Sequence, residues 1–262
     1  MREFFELPEN LSHPDPTRRA QIQMKRPLPK RFYKDVTVVG GEADYAIHLD
    51  GRPVRTPAKN TLVAPTAALA GLMRTEWDAQ AEEVDPNTMP VTRLVNTAID
   101  GVAVDPQAVF EDILRFSSSD LLCYRADTPE ELVALQTERW DPVIDWAAND
   151  LGARFTLVEG IMPRDQPREA TAAFAVTLRK YDTPIELACL HTVTTLTGSA
   201  ILALAFAEGR LTADEAWSLA HLDEDWTEEH WGGDAEGAQR RARRYDELQA
   251  AAAAFLSLRP AV

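Results

Sequence analysis

The sequence predicts an α+β fold in which a β-rich N-terminal domain is followed by a mainly helical C-terminal domain. Between residues 31 and 62, apolar residues alternate with polar ones, which is the period of half-buried strands. From about residue 65 onward, apolar residues recur at spacings of three and four, which is the period of amphipathic helices. Strands that come first and helices that follow are typical of α+β chains.

Length and composition bound the domain organisation. The chain has 262 residues and 45% hydrophobic content, which suits one large or two small globular domains. We expect a flexible N-terminal arm over residues 1–30, a β-rich domain with one helix over residues 31–90, and a helical domain over residues 91–262. Residues 1–30 are rich in proline and charge and lack periodicity, which is typical of an arm.

The clearest strand feature is a hairpin in YAIHLDGRPVRTP, residues 45–57. Asp50 and Gly51 suit the two positive-φ positions of a two-residue turn. This turn predicts four cross-strand pairs: Leu49 with Arg52, His48 with Pro53, Ile47 with Val54, and Tyr45 with Thr56.

The second strand of this hairpin is expected to lie at a sheet edge, because Pro53 has no N–H to donate to a neighbouring strand. The corner would then be exposed, with the side chains of Arg52 and Arg55 available to contact a partner. The simpler interpretation, in which both arginines only flank a hairpin, stays open.

Helical periodicity begins near Pro65 and continues almost to the C-terminus. Leu69, Met73 and Trp77 share one face of the first predicted helix. Further elements are predicted as follows: helices over 91–100, from 105, from 128, over 168–181, over 184–207, from 212 and over 235–256, and one isolated strand within 153–160.

Local sequence also predicts where some helices begin and break. The stretches 128–131 and 212–215 both have the composition of a capping box. The helix that starts at 212 is predicted to continue without a break into HLDEDWTEEHWGG, residues 221–233. Residues 184–207 are predicted as one buried helix or as two helices broken near Gly198.

Composition disfavours several classes of protein. The net charge is −15, from 42 acidic and 27 basic residues, whereas a nucleic-acid binder would show a basic face. The first 16 residues, MREFFELPENLSHPDP, lack the apolar core of a secretory signal and contain acids that transit peptides avoid. Residues 187–207 carry no charged side chain, but polar residues interrupt them, so no membrane insertion is predicted.

The cysteines and the common catalytic motifs also inform function. Cys123 and Cys189 lie in apolar settings and are expected to be buried free thiols in a reducing compartment. His191 is predicted to be a satisfied core histidine, with a spatial pairing to Cys123 as the alternative. The sequence has no P-loop, G-x-G-x-x-G, G-x-S-x-G or H-E-x-x-H motif. We therefore predict no catalytic, cofactor-binding or metal-binding residues.

The densest polar stretch is HLDEDWTEEHWGGDAEG, residues 221–237, which combines seven carboxylates with two tryptophans. A solvated acidic face, a carboxylate or metal site, and a protein-contact surface are all compatible with this composition. Indoles among the acids favour contact, because large aromatic side chains anchor interfaces that charges surround. The candidate partner-binding residues of this stretch are Asp223, Glu224, Trp226, Glu228 and Trp231.

Helical spacing gives a second argument for a contact surface. On a continuous helix, Glu224 would share a face with Trp217 and Trp231. A carboxylate between two indoles would be unusual for a purely solvated acid.

Seven ordered segments, which span about residues 30–235, carry a resemblance to a known family. They are RFYK at 31–34, LDGRPVRTP at 49–57, EWDAQ at 76–80, DPNTMPVTRLVNTAID at 85–100, DLLCYRAD at 120–127, WDPVIDWA at 140–147 and LDEDWTEEHWG at 222–232. Together they resemble the assembly chaperones for the α subunit of the catalytic sector of F-type ATP synthase.

The resemblance implies a β-rich domain joined to a helical domain, and a non-enzymatic role. Such a chaperone binds the newly made, unassembled α subunit until the β subunit replaces it, without a cofactor and without nucleic acid. The resemblance also implies that Glu224 is functionally sensitive, whereas Trp231 and Gly232 suit packing and helix termination.

Because residues 1–30 do not resemble a mitochondrial targeting sequence, the chain is predicted to be a bacterial, cytoplasmic member of the family. It is also predicted to be monomeric when free. Four arginines between 240 and 244 lie outside the matched segments and are expected to be solvated or to pair with nearby acids. Two alternatives stay open: a carboxylate-dependent hydrolase with a site near residues 223–236, and an acidic adaptor for another protein.

Overall fold

The computed structural model describes residues 28–41, 44–160 and 164–259. The chain divides into two compact units, with the break after Asn96. The main sheet belongs to the N-terminal unit and the rest of the chain is mostly helical, which confirms the predicted α+β class. The predicted arm lies almost entirely outside the described residues, and the domain limits given above stay predictions.

Four antiparallel strands form the sheet of the N-terminal unit: β1 (Val36–Gly41), β2 (Asp44–Leu49), β3 (Arg52–Pro53) and β4 (Val63–Ala64). Strand β2 is central, because it pairs with β1 along one side and with β3 and β4 along the other. Helix α1 (Ala67–Asp78) packs against this sheet and buries Leu69, Met73 and Trp77. Thr66, rather than Pro65, marks its start, since the Thr66 side chain accepts a hydrogen bond from the N–H of Leu69.

The predicted hairpin turn is confirmed. Asp50 and Gly51 adopt φ angles of 48° and 78°. The pairs of Leu49 with Arg52 and of His48 with Pro53 are both present. As expected from Pro53, β3 has no further strand beside it among the described residues.

The predicted pair of Tyr45 with Thr56 is wrong, because the second strand leaves the ladder too early. The N–H of Val54 still donates to the carbonyl oxygen of Ile47 over 2.8 Å. After Val54 the chain makes a small excursion and returns as β4, whose Ala64 takes the place beside Tyr45. The prolines and the glycine of the loop gave no indication of this excursion.

Two glycines of the N-terminal unit provide a matched pair of substitutions. A Cβ atom at Gly40 would collide with the backbone carbonyl oxygen of Asp44, whereas a Cβ at Gly71 within α1 would meet nothing within 4 Å. We expect Gly40→Ala to lower the free energy of unfolding by about 1–3 kcal/mol. Gly71→Ala should raise it by about 0.5–1 kcal/mol, because alanine favours a helix interior. Denaturant unfolding measures both values, and equal effects of the two substitutions would contradict the described path of β1.

The C-terminal unit is built from helices joined by short connections. Helix α2 (Pro90–Asp100) begins before the break at Asn96. The helices that follow are α3 (Pro106–Ser117), α4 (Glu130–Asp150), α5 (Arg168–Leu178), α6 (Pro184–Thr197), α7 (Ala200–Ala207), α8 (Ala213–Ala220), α9 (Leu222–Trp231) and α10 (Ala235–Ser257). Across the described part of the chain, every helix falls short of the length and apolar content that a bilayer crossing requires.

Helix α7 forms the centre of the helical unit. All eight of its residues are buried, and it packs against α3, α4, α6 and α8. Gly198, with φ at 68°, ends α6, and the side chain of Ser199 caps α7 by accepting from the N–H of Leu202. Of the two alternatives given for residues 184–207, two helices broken near Gly198 is therefore the correct one, and one continuous helix is wrong.

A buried carboxylate fixes the start of α7. Asp120 is fully buried, and its Oδ1 accepts hydrogen bonds from the Ser199 hydroxyl over 2.6 Å and from the N–H of Leu122 over 3.1 Å. Its Oδ2 accepts from the N–H of Ile201 over 2.9 Å. Burial raises the pKa of Asp120 to about 6, against the opposing effect of these donors.

The two predicted capping boxes have different outcomes. Thr212 and Glu215 form the predicted box at the start of α8. The box at 128–131 is wrong, because Pro129 occupies the N-cap of α4 and offers no side-chain acceptor. Thr128 lies one residue too early and its hydroxyl bonds to Asp127 instead.

The predicted isolated strand is present at β6 (Val158–Glu159), but it pairs in parallel with β5 (Tyr124–Arg125).

Candidate functional site

The acidic stretch forms its own helix, α9, because the chain breaks at His221. His221 ends α8 and precedes α9, with φ at −109° and ψ at 17°. The predicted continuous stripe is therefore wrong. Trp217 is 8% exposed, whereas Trp231 is 79% exposed, so the two indoles do not share a face. The packing role that the resemblance implied for Trp231 is therefore also wrong.

Helix α4 holds the junction between α8 and α9 in place. The indole N–H of Trp140 donates to the carbonyl oxygen of Leu219 over 2.9 Å. One turn earlier on α4, the amide Nε2 of Gln136 donates to Oδ1 of Asp223 over 2.8 Å. Trp140 and Gln136 are both buried, so Asp223 serves at least in part to position α9.

Two further carboxylates of α9 pair with an arginine of α10. The guanidinium of Arg241 lies 2.5 Å from Oδ1 of Asp225 and 3.5 Å from Oε2 of Glu228. The prediction that the arginines near 240–244 pair with nearby acids is confirmed for Arg241, and also for Arg240, which pairs with Glu236. Glu228, a candidate partner-binding residue, therefore also contributes an ion pair that holds α9 against α10.

Trp226 also makes an internal contact. Its ring stacks on the imidazole of His230, with centroids 4.0 Å apart and planes at 23°. His230 donates from Nδ1 to the carbonyl oxygen of Trp226 over 2.7 Å. Trp226 is half-buried, so its contact with a partner would involve only part of the ring.

Glu224 differs from its neighbours because it lacks a strong donor among the described residues. Its carboxylate is 61% exposed and lies 3.9 Å from Nε2 of His221. His221 is buried and donates from Nδ1 to the carbonyl oxygen of Trp217. Burial lowers the pKa of His221 and favours its neutral form. With the proton on Nδ1, the neutral ring has no proton on Nε2 to offer Glu224.

The exposed part of this surface combines an indole with carboxylates. Glu224 in the first turn of α9, and Glu229 and Trp231 in its last turn, all face solvent. Gly232, with φ at 81°, stops α9 as the sequence predicted. An open groove of about 570 Å³ runs between α9 and α10. Its lining carries both signs of charge. The acidic residues are Asp223, Glu224, Glu228 and Asp234, and the basic residues are Arg240, Arg241 and Arg244.

The remaining candidates, Arg52 and Arg55, lie in the N-terminal unit. Both are exposed. Arg55 donates from Nη1 to the carbonyl oxygen of Lys59 over 2.9 Å, so it is tied to its own loop. Arg52 pairs through its backbone with Leu49.

The other chemistry-bearing residues form structural contacts. Cys123 and Cys189 are free and buried, as predicted. His191 is partly exposed and lies 2.7 Å from Asp112, so it is satisfied by a carboxylate on the surface of the unit and not by the core. No cluster of three or more possible metal-ligating side chains occurs within the described residues.

Sequence reasoning missed Gln136 and Trp140 as the supports of α9, because their partners lie more than 75 positions away. It also missed the unequal distribution of charge between the N-terminal and C-terminal units. Residues 97–262 carry 29 acidic and 14 basic side chains, so the entire net charge of −15 belongs to the helical unit. Counting charges on either side of a domain boundary would have revealed it.

Solved bacterial proteins share this fold over almost their whole length. The Atu1473 protein from Agrobacterium tumefaciens is 70% identical, and the match covers 95% of this chain and 93% of that chain with a TM-score of 0.86. Atp12 from Paracoccus denitrificans is 39% identical, and the match covers 88% of this chain and 99% of that chain with a TM-score of 0.82.

Sequence comparison leads to the same group of proteins. The mitochondrial protein atp12 of Schizosaccharomyces pombe is 25% identical over 226 residues, which cover 82% of this chain and 77% of the relative. Residues 30–148 match the family model of the ATP12 chaperone protein. With these relatives and this fold, the protein is a chaperone of ATP synthase assembly. The chain belongs to the ATP12 chaperone family, which confirms the resemblance found in its sequence.

Proposed function

We propose that this protein binds the unassembled α subunit of ATP synthase, shields its exposed interface from aggregation, and yields it to the β subunit without catalysing a reaction. The observation that carries the proposal is the match to Atp12 of Paracoccus denitrificans over 99% of that chain. The relatives with solved structures are bacterial, which supports a cytoplasmic location in a bacterium as part of the same proposal.

The exposed surface of α9 supports a contact role. Trp231 is the most exposed aromatic side chain among the described residues, and Glu224 lies on the same short helix without a strong internal donor. Indoles anchor interfaces when charged groups form the rim. The unassembled subunit of a ring exposes apolar surface that would otherwise drive aggregation. We therefore assign partner contact chiefly to Trp231 and Glu224, with smaller contributions from Asp223, Trp226, Glu228, Arg52 and Arg55.

Release requires no nucleotide in this proposal. An interface of about 1,200–2,000 Å² in total is stable and still exchangeable. If the β subunit binds the same surface of α more tightly, mass action transfers α to β. The free chaperone would be a monomer, which a sedimentation measurement would establish.

Light scattering by purified α subunit tests the proposal directly. Equimolar chaperone should suppress the scattering and give a one-to-one complex, and added β subunit should displace the chaperone. A complex that survives excess β would contradict the exchange step. Turnover of ATP or another small substrate by the purified chaperone would contradict the non-enzymatic role.

Two substitutions test the assigned surface. Trp231→Ala and Glu224→Gln should each weaken capture of α by about tenfold or more, because they remove an anchor and a charged contact. Their effect on the free energy of unfolding should stay within about 0.5 kcal/mol, because both side chains are exposed. Val176→Ala on α5 is the matched control, since Val176 is 73% exposed and lies outside this surface. Equal capture of α by all three variants would show that α9 is not part of the interface.

A further inference from the structure

Strand β1 is an edge of the sheet in the N-terminal unit. It pairs with β2 along one side, and no other described strand pairs with it. A sheet edge presents backbone N–H and C=O groups that another extended chain could pair with.

The register identifies the backbone groups that point away from β2. The N–H of Asp50 donates to the carbonyl oxygen of Asp35, which makes these two residues a hydrogen-bonded pair. Such pairs alternate along an antiparallel ladder, so Thr37 and Val39 bond to β2. The N–H and C=O groups of Val36 and Val38 therefore point outward, and none of the described backbone hydrogen bonds uses them.

The sequence of β1 lacks the features that normally protect an edge. VTVVGG contains no charged residue and no proline, whereas exposed edges usually carry lysine, proline or an inward-pointing charge. Three valines and a threonine also favour the extended conformation. Val39 is 50% exposed, so an apolar side chain lies directly beside the open edge.

The face of the sheet that carries Val39 continues this apolar character. Val39 pairs with Ala46, and Ala46 pairs with Val63, so the three side chains form one row across three strands. Antiparallel sheets with one solvated face normally place polar residues there. Ala46 and Val63 are only partly buried, so an added strand would extend an apolar row that already exists.

We propose that β1 is a strand-addition site, at which an extended segment of the unassembled α subunit pairs with the backbone of Val36 and Val38. This inference rests on the proposed function. The segment would be uncharged near its centre and would carry β-branched or other apolar side chains in register with Val39. Recognition through backbone hydrogen bonds, with modest demands on side chains, is the usual mode of such sites.

Charge favours a client segment over a second copy of this chain. Residues 1–96 carry 13 acidic and 13 basic side chains, so the unit that contains β1 is neutral overall. Pairing of β1 with β1 of another copy would also bring together two molecules, each with a net charge of −15. Such self-repulsion opposes dimerisation.

Amide hydrogen exchange tests the edge without any substitution. In the free chain, the amides of Val36 and Val38 should exchange rapidly, whereas those of Thr37 and Val39 should be protected by β2. In the complex with α, exchange at Val36 and Val38 should slow by about tenfold or more, as expected for amides that gain hydrogen bonds. Slow exchange at Val36 and Val38 in the free monomer would overturn the proposal, because the edge would already be covered. Protection that appears only in a dimer of this chain would overturn it in favour of a second copy.

Two variants and two controls test the function of the edge. Val39→Lys places a charge beside it, and Val38→Pro removes an outward N–H that β2 does not use. Each should weaken capture of α by about tenfold, the equivalent of one or two lost hydrogen bonds. Val39→Thr keeps the β-branched shape and should bind normally. Val176→Lys adds the same charge on α5 and should also bind normally.

The outcomes separate this inference from the proposed function. Normal capture by Val39→Lys and Val38→Pro, together with unchanged exchange at Val36 and Val38, would overturn the strand-addition site and leave the proposed function intact. Failure of the unmodified protein to capture α would overturn both. Circular dichroism of each variant guards against a loss of binding that results from unfolding. If Val38→Pro unfolds, Val39→Lys and the exchange measurement still decide the question.

Discussion

Replacing Asp120 by asparagine is expected to lower the free energy of unfolding by about 2–4 kcal/mol at pH 7. Both carboxylate oxygens of Asp120 accept hydrogen bonds from buried donors at the start of α7. An asparagine side chain has one oxygen and one NH₂ group, so one of these donors would face another donor. Because α7 lies at the centre of the helical unit, the whole unit should lose stability.

The pH dependence of this residue has a definite sign. The folded pKa of about 6 lies above the ordinary value of 3.8. A raised pKa means that the folded state holds the proton more tightly than the unfolded state. Its contribution to stability is fully present below pH 3.8 and is lost as the pH rises through about 6, with a total near 3 kcal/mol. The deficit of Asp120→Asn should therefore widen between pH 7 and pH 5.

Urea unfolding at a series of pH values checks both parts of this prediction. Asp145→Asn is a suitable control, because Asp145 is exposed on α4 and should change stability by less than about 0.5 kcal/mol. A deficit for Asp120→Asn that narrows toward pH 5 would contradict the raised pKa. A deficit no larger than that of the control would contradict the buried network itself.

Trp140→Ala is expected to lower the free energy of unfolding by about 3–5 kcal/mol. Trp140 is completely buried, and its ring lies under the guanidinium of Arg125 with a distance of 5.3 Å to the centroid. Its indole N–H also holds the carbonyl oxygen of Leu219 at the end of α8. Loss of the side chain removes this bond and leaves a large cavity beside the segment that positions α9.

Trp140→Phe separates the two effects. Phenylalanine fills much of the space but cannot donate to Leu219, so the expected loss is about 1–3 kcal/mol. Chemical denaturation measures the stability of both variants, and capture of the α subunit by Trp140→Phe reports whether α9 keeps its position. Equal losses for the two substitutions would show that the hydrogen bond, and not the packing, dominates at this site.

The sequence predicted most elements correctly wherever local chemistry determines them. The turn at Asp50 and Gly51, the helix start at Asp105 and the break near Gly198 each depend on residues within one turn of the chain. The break at His221 was missed because apolar and polar residues keep helical spacing across it. No glycine or proline marks that break, and it is held by contacts with α4, a helix about 80 residues earlier in the chain.

The candidate site was predictable in its composition but not in its geometry. The sequence indicated an acidic, aromatic surface on the segment that became α9, and it placed Glu224 and Trp231 there. It set Glu224 apart only through the resemblance and through a helical stripe that the break at His221 removes. The physical difference lies in tertiary partners: Gln136 for Asp223 and Arg241 for Glu228. Such pairings depend on which helices meet, and periodicity within one helix carries no information about that.

The two buried thiols have a practical consequence for studies of this chaperone. Burial raises the pKa of both Cys123 and Cys189, so neither forms a nucleophilic thiolate while the helical unit is closed. Alkylating reagents can modify them only when the packing around them opens. The rate at which these thiols are alkylated therefore reports how often the helical unit opens, and no engineered probe is needed. A client that stabilises this unit would lower the alkylation rate.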